Sequence, residues 1–191
     1  MGVWSMRGSA RAVGGRLASG YTLAAMQIVY YPDPVLQRRA KPVDPAMEEL
    51  QELAEEMLMA MQEARGVGLA APQIGRSLRL FVASESGEPE DGLIFINPEI
   101  RPFGSPKAFE EGCLSLPGVN GMVTRPESVE VSWTDVDGQR KTETFTELMA
   151  RIIQHEFDHL EGVLFFERMT PADRVRVRAD LQSFEEQYRV S

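Results

Sequence analysis

The chain is short of the residues that bind soft metals. It holds one cysteine and two histidines among 191 residues. A single cysteine excludes an internal disulfide. A lone thiol suits a reducing compartment, where cysteine serves as ligand or nucleophile more often than as a staple. No stretch approaches the roughly 18 consecutive apolar residues of a membrane-spanning helix, so no membrane partner is expected. Basic residues are also in deficit, 20 against 29 acidic, for a net charge of -9. That argues against the basic stripe of a nucleic-acid surface and against direct DNA binding. The local clusters, Arg38-Arg39 and then Arg174, Arg176 and Arg178, read as solvated faces. What remains is ordinary globular composition, 43% hydrophobic and 26% charged, at a length that suits one domain with a real core.

The scarce residues are placed with economy. Both histidines fall in the run His155-Glu156-Phe157-Asp158-His159. Residues i and i+4 share a helix face, with Cβ atoms roughly 5–6 Å apart. Two imidazoles at that spacing can grip one ion, and the intervening Glu156 can act as base toward a water beside it. Ordinary polar residues on a half-buried helix are the bland alternative. Cys113 lies in Glu111-Gly112-Cys113-Leu114-Ser115, far enough upstream to come from another element. Taken alone, it reads more readily as a small buried hydrophobe.

The first 25 residues differ from the rest. They contain Arg7, Arg11 and Arg16 and no acidic residue. Setting those three aside leaves 17 basic against 29 acidic residues, so 26–191 carries -12. An arginine-rich, acid-free leader has the composition of an organellar transit peptide. The favoured expectation is a disordered extension or a start codon placed too early, with Met26-Gln27-Ile28-Val29-Tyr30 opening the folded part. Residues 26–191 are then one catalytic domain.

Periodicity marks the elements. Tyr31-Pro32-Asp33-Pro34 is a turn, and Asp44-Pro45 is expected to open a helix with Asp as its cap. Met47, Leu50, Leu53, Ala54, Met57, Leu58 and Met61 recur at helical spacing until Gly66-Val67-Gly68 breaks the pattern. Leu78 to Ala83 and Leu93 to Asn97 read as strands, the second limited by Pro98. Val129, Val131 and Trp133 alternate, Asp137-Gly138 signals a hairpin, and Lys141 to Phe145 returns. Leu148, Ile152, His155 and His159 then share one helix face, and Gly162 ends that helix. Val163 to Phe166 reads as a short strand, and Thr170-Pro171 starts a last helix. Strands that cluster ahead of a helix make the class α+β rather than α/β.

Two histidines and a thiolate supply three protein ligands and leave a fourth position open, the pattern of a catalytic rather than a structural site. A cation there polarises a carbonyl and acidifies water. With Glu156 shuttling the proton, the combination points to hydrolysis of an amide or ester.

Three blocks now stand together in order: Gly66-Val67-Gly68-Leu69-Ala70-Ala71-Pro72-Gln73, Glu111-Gly112-Cys113-Leu114-Ser115-Leu116-Pro117 and Gln154-His155-Glu156-Phe157-Asp158-His159-Leu160. Together they resemble the peptide deformylase family, and Tyr31-Pro32-Asp33-Pro34, Asn97-Pro98 and Gly162-Val163-Leu164-Phe165 match its lesser landmarks. The likeness covers about Met26 to Glu167. It implies short, mostly antiparallel strands packed around a central metal-binding helix, with a C-terminal helix. It further implies that Cys113, His155 and His159 hold one divalent ion, natively Fe2+, with Zn2+, Ni2+ or Co2+ taking its place in preparations. By the same resemblance Glu156 is the general acid and base, and the Gln73 side chain and Leu114 backbone N–H receive the oxyanion. Val67, Gly68, Glu111, Gly112, Leu148 and Arg151 border the substrate, although Leu148 fits a core role nearly as well. The implied substrate is the N-formylmethionyl end of nascent polypeptides, met near the ribosome, with formate released. The implied place is the bacterial cytoplasm, or an organelle if residues 1–25 are a transit peptide.

Asp158 lies off the histidine face and is expected to pair with Arg125. Glu147 stands where the family often has Gly, and Glu167 where Asp is usual. Two other readings compete. A zinc metalloprotease would use the two histidines with Glu185 or Glu186 as third ligand, leaving Cys113 incidental. A non-catalytic relative would have lost chemistry, but Glu156 is present.

Overall fold

The computed structural model describes residues 26–44, 47 and 49–190. The expectation for residues 1–25 lies outside them, as does Pro45. In chain order the elements are α1 (Leu50–Glu63), β1 (Gly68–Ala70), β2 (Leu80–Ala83), β3 (Leu93–Cys113), β4 (Leu116–Thr134), β5 (Arg140–Thr146), α2 (Glu147–Leu160) and α3 (Pro171–Val190). The strands form one antiparallel sheet in sequence order. This is the α+β arrangement that the clustering of strands led us to expect.

Helix α2 lies at the centre and touches all five strands. Its burial explains that position: Ala150, Ile152, Ile153, Gln154, Glu156, Asp158, His159 and Leu160 are all buried. Its end follows from Gly162, whose φ of 73° is the left-handed conformation glycine favours. The Val163 N–H then reaches the Asp158 carbonyl at 2.9 Å and the Gly162 N–H reaches the His159 carbonyl at 3.3 Å, which closes the last turn. A Cβ on Gly162 would also meet the Arg38 backbone at 2.8 Å. At the other end Glu147 has φ 51°, a left-handed conformation unusual for a non-glycine residue. Lys107 Nζ holds the Glu147 carboxylate at 2.9 Å.

Three apolar clusters flank this arrangement. One joins α1 to β1 and β2, a second packs α2 against the aromatic face of the sheet, and a third seats α3 on the β3–β4 turn. In the second, Phe95 stacks on Phe81 with centroids 4.6 Å apart and packs on Trp133 at 5.0 Å. Each such side chain contributes about 1.5–3 kcal/mol by leaving water.

Four boundaries differ from the sequence expectation. Helix α1 starts at Leu50 rather than behind Asp44. It ends through Arg65, with φ 56°, one residue before the glycines. Strand β3 does not stop at Pro98 but continues to Cys113. Beyond Ile96 it pairs only with β4, so among the described residues it is an edge strand, where a missing N–H is tolerated. The expected strand at Val163–Phe166 is instead a single 3-10 turn, Phe165–Arg168, in which Glu167 Oε1 accepts the Leu164 N–H at 2.9 Å.

Candidate metal centre

Cys113 ends β3, whereas His155 and His159 lie one turn apart on α2. The fold brings the three together: one donor atom from each lies within 4.8 Å of the others. Cys113 Sγ is 3.3 Å from His159 Nε2. Tetrahedral coordination with metal–sulfur and metal–nitrogen bonds near 2.3 and 2.0 Å separates donors by roughly 3.3–3.6 Å, so the Cys113–His159 pair already has ligand spacing and the wider separations, up to 4.8 Å, would close on an ion. A thiolate with two imidazoles suits a first-row transition metal. Glu185, the alternative third ligand, is engaged elsewhere, accepting the Tyr31 hydroxyl at 2.6 Å. The described cluster includes neither it nor Glu186.

The His155 ring is oriented from behind, whereas the buried His159 Nδ1 has no hydrogen-bond partner among the described residues. Glu111 Oε2 lies 3.0 Å from Nδ1 of His155, which leaves Nε2 for a cation. Glu111 is fixed in turn by the Arg125 fork at 2.7 and 3.0 Å. Arg125 also donates to Asp158 at 2.8 Å, the pairing expected from sequence, and Arg168 covers Asp158 from the outer side at 2.6 Å. Burial opposes ionisation of Glu111, but hydrogen bonds from His155 and Arg125 outweigh it and hold the carboxyl far below its ordinary range. His159 is kept neutral by burial, reinforced by the nearby cations His155 and Arg125, as a ligand imidazole must be. Burial also opposes charge on His155, yet its contacts with Cys113 and Glu111 raise it well above the usual value, and a cation at Nε2 would take the place of that proton.

Glu156 faces the same space. It is buried, and its Oε2 has no hydrogen-bond partner. Burial, with Glu111 nearby, pushes its carboxyl up to about 7 against the opposing charges of His155 and Arg125. An unpartnered buried oxygen on a near-neutral carboxyl is suited to exchanging a proton. Gln73 approaches from the other side. Its Oε1 accepts the Ala70 N–H at 2.8 Å, which turns Nε2 toward Cys113 Sγ and Ser115 Oγ, each at 3.4 Å. Gly68 lets β1 run against Glu156, and a Cβ on Gly66 would lie 2.9 Å from Leu114 Cδ1.

A cleft of about 320 Å³, counting its open mouth, leads to these groups. Of the residues expected to border substrate, Glu111, Gly112, Leu148 and Arg151 line it, together with His155 and Glu156. Val67 and Gly68 do not: Val67 packs on the aromatic cluster, and Gly68 bears on the cleft only through Glu156. Phe109, Glu110 and Ile152 also line the cleft, although the sequence pattern assigns them no substrate role. That pattern puts Ile152 on the same helix face as His155 and His159, but only as part of an apolar stripe. Phe109 and Glu110 carried no signal once β3 was expected to end at Pro98.

The likeness to known proteins is extensive. The family described as polypeptide deformylase matches residues 25–175. A peptide deformylase 1B of Arabidopsis thaliana, chloroplastic/mitochondrial, is 42% identical over 85% of this chain. The chain spans 61% of that relative's length. A peptide deformylase of Chlorobaculum parvum is 42% identical, with 82% of this chain and 86% of the relative covered. Among solved structures, Arabidopsis thaliana peptide deformylase 1B in complex with an inhibitor superposes with a TM-score of 0.82 at 42% identity, covering 85% of this chain and 92% of that one. A Plasmodium falciparum peptide deformylase superposes at 0.83 and 38% identity, over 86% and 98%.

Proposed function

The chain belongs to the polypeptide deformylase family, and from that membership we propose that it removes the formyl group from the N-formylmethionine end of nascent polypeptides, releasing formate and a free amine. The observation that carries this reading is the convergence of Cys113, His155 and His159 beside the buried Glu156 and Gln73.

Cys113, His155 and His159 would hold one divalent ion, Fe2+ in this proposal. When bound, it supplies Lewis acidity toward the formyl carbonyl and toward an attacking water. Glu156 takes the water proton at its unpartnered Oε2 and delivers it to the amine nitrogen as the C–N bond breaks. The Gln73 amide and the Leu114 N–H donate to the formyl oxygen as negative charge builds on it, an interaction whose removal typically lowers rate by ~10²–10³. The cleft receives the methionine side chain against Leu148, Ile152 and the stem of Arg151. In this reading the protein works on chains close to the ribosome. Its place is the bacterial cytoplasm, or an organelle if residues 1–25 act as a transit peptide.

The test is formate release from a formyl-Met tripeptide by protein prepared anaerobically and loaded with Fe2+, with metal analysis of the same sample. Turnover with about one metal per chain is expected. Metal-loaded protein that releases no formate overturns the proposal.

A further inference from the structure

The geometry points to Arg151 as a positioning residue that ties the wall of the cleft to His155 through Glu111. The inference rests on the reading above, in which that cleft takes the substrate's first side chain.

Arg151 sits one helical turn before His155 on α2, and only 11% of its side chain is exposed. Its stem lines the cleft. Both terminal nitrogens of its guanidinium donate to the β3–β4 hairpin. Nη1 donates to Glu111 Oε1 at 2.7 Å and to the Val123 carbonyl at 3.1 Å, and Nη2 donates to the Lys107 carbonyl at 2.6 Å. The Phe109 ring, another cleft wall, lies with its centroid 5.5 Å from the guanidinium carbon. Glu111 then passes the connection on, its other oxygen holding His155 Nδ1 at 3.0 Å. From cleft wall to ring nitrogen the path is two hydrogen bonds.

Arg125 also grips Glu111, but it does not line the cleft, and its Nη1 goes to Asp158 and the Gln154 carbonyl on α2. Glu111 and His155 line the cleft as well, and Arg151 is the brace that holds the Glu111 carboxylate between that wall and the His155 ring. Two rigid elements, the hairpin and α2, are pinned at the point where both meet substrate.

The test replaces Arg151 by Met and by Lys. Arg151→Met keeps an apolar stem and removes three hydrogen bonds. Co2+ affinity is read by chelator competition, the Co2+ ligand-field spectrum by absorption, and kcat and KM on a formyl-Met tripeptide. Loss of a positive charge would by itself tighten Co2+ binding, so the sign of the change separates positioning from charge. In Arg151→Met we expect Co2+ to bind about 10-fold more weakly, at the lower end of the effect of a ligand's hydrogen-bond partner. We also expect a shifted spectrum and kcat reduced more than KM is raised. Arg151→Lys, which can reach Glu111 but cannot fork, restores part of each. Unchanged or tighter Co2+ binding with the parent spectrum overturns the inference, even if KM rises. Should Arg151→Met fail to fold, Arg151→Lys is decisive: intermediate affinity supports the inference and parent affinity overturns it. A parent protein that binds Co2+ but releases no formate defeats the functional reading, while the metal readouts still decide the role of Arg151.

Discussion

Gly68 stands so close to Glu156 that a Cβ on it would lie 2.8 Å from the glutamate's Cδ. No positive φ is involved, so the demand for glycine here is one of space. Gly68→Ala should therefore fold yet displace the Glu156 carboxylate. A displacement near 1 Å lowers turnover by about 10². Formate release at that reduced level with Co2+ affinity intact is the expected result, and parent activity would show that Glu156 has room to spare.

Glu156→Ala removes the proton carrier and leaves the three donors in place. Formate release should fall by about 10²–10⁴, the range of general acid–base catalysis. Metal content measured by atomic absorption should stay near one per chain. Undiminished turnover would remove Glu156 from the chemistry.

Cys113→Ala distinguishes a thiolate-containing site from a protease-like site built on a glutamate. With Sγ gone, two imidazoles remain within reach of the ion, and Glu185 is held by Tyr31. Tight metal binding should disappear in equilibrium dialysis. Retention of parent affinity would restore a role for a distant carboxylate.

Arg125→Met removes the cation that two buried carboxylates share, leaving Glu111 to Arg151 and Asp158 to Arg168. The Arg125, Glu111 and Asp158 side chains are 7%, 5% and 7% exposed. Breaking a buried ion pair by removing one partner destabilises by about 3–5 kcal/mol. Arg168 still covers Asp158, which favours the lower figure. At ~2–4 °C per kcal/mol for a domain of this size, the melting temperature should drop by about 6–12 °C in calorimetry.

Tyr31 gives a pH signature away from the metal donors. Its hydroxyl is pushed up to about 12 by burial, with the Glu185 hydrogen bond and charge adding to it. An unfolded tyrosine releases its proton near pH 10. The folded chain holds this one longer, so the contribution is whole below pH 10 and is lost as pH rises toward 12. In alkaline unfolding, the stability advantage of the parent over Tyr31→Phe should shrink across that window. A constant difference would mean that Tyr31 titrates alike in both states.

Much of this site was legible in the sequence because its chemistry is local. His155, Glu156 and His159 declare their geometry by spacing, and the helix that carries them shows both its buried face and its glycine stop. Cys113 was ambiguous by itself and gained meaning only beside its neighbours in the three blocks. What escaped were effects of partnership. Pro98 looked like a terminus because sequence does not reveal that β3 has a single neighbour there. Arg65 gave no sign of adopting the left-handed conformation next to two glycines. The reach of Arg151 to Glu111, Val123 and Lys107 spans up to 44 residues, a distance at which periodicity says nothing.

The open side of β3 has a consequence for how copies of this protein meet one another. A long strand with unpaired backbone on one side is a template for another chain. Here Pro98, Pro102 and Pro106 fall along that stretch, and the pairing with β4 shifts register beside Pro98 and Pro106. Proline has no N–H to offer a newcomer, and each shift bends the strand out of a flat ribbon. The residues that mislead a strand-by-strand reading are thus the ones that discourage edge-to-edge pairing, along a stretch where Arg79 and Arg151 also occupy the Pro98 and Lys107 carbonyls.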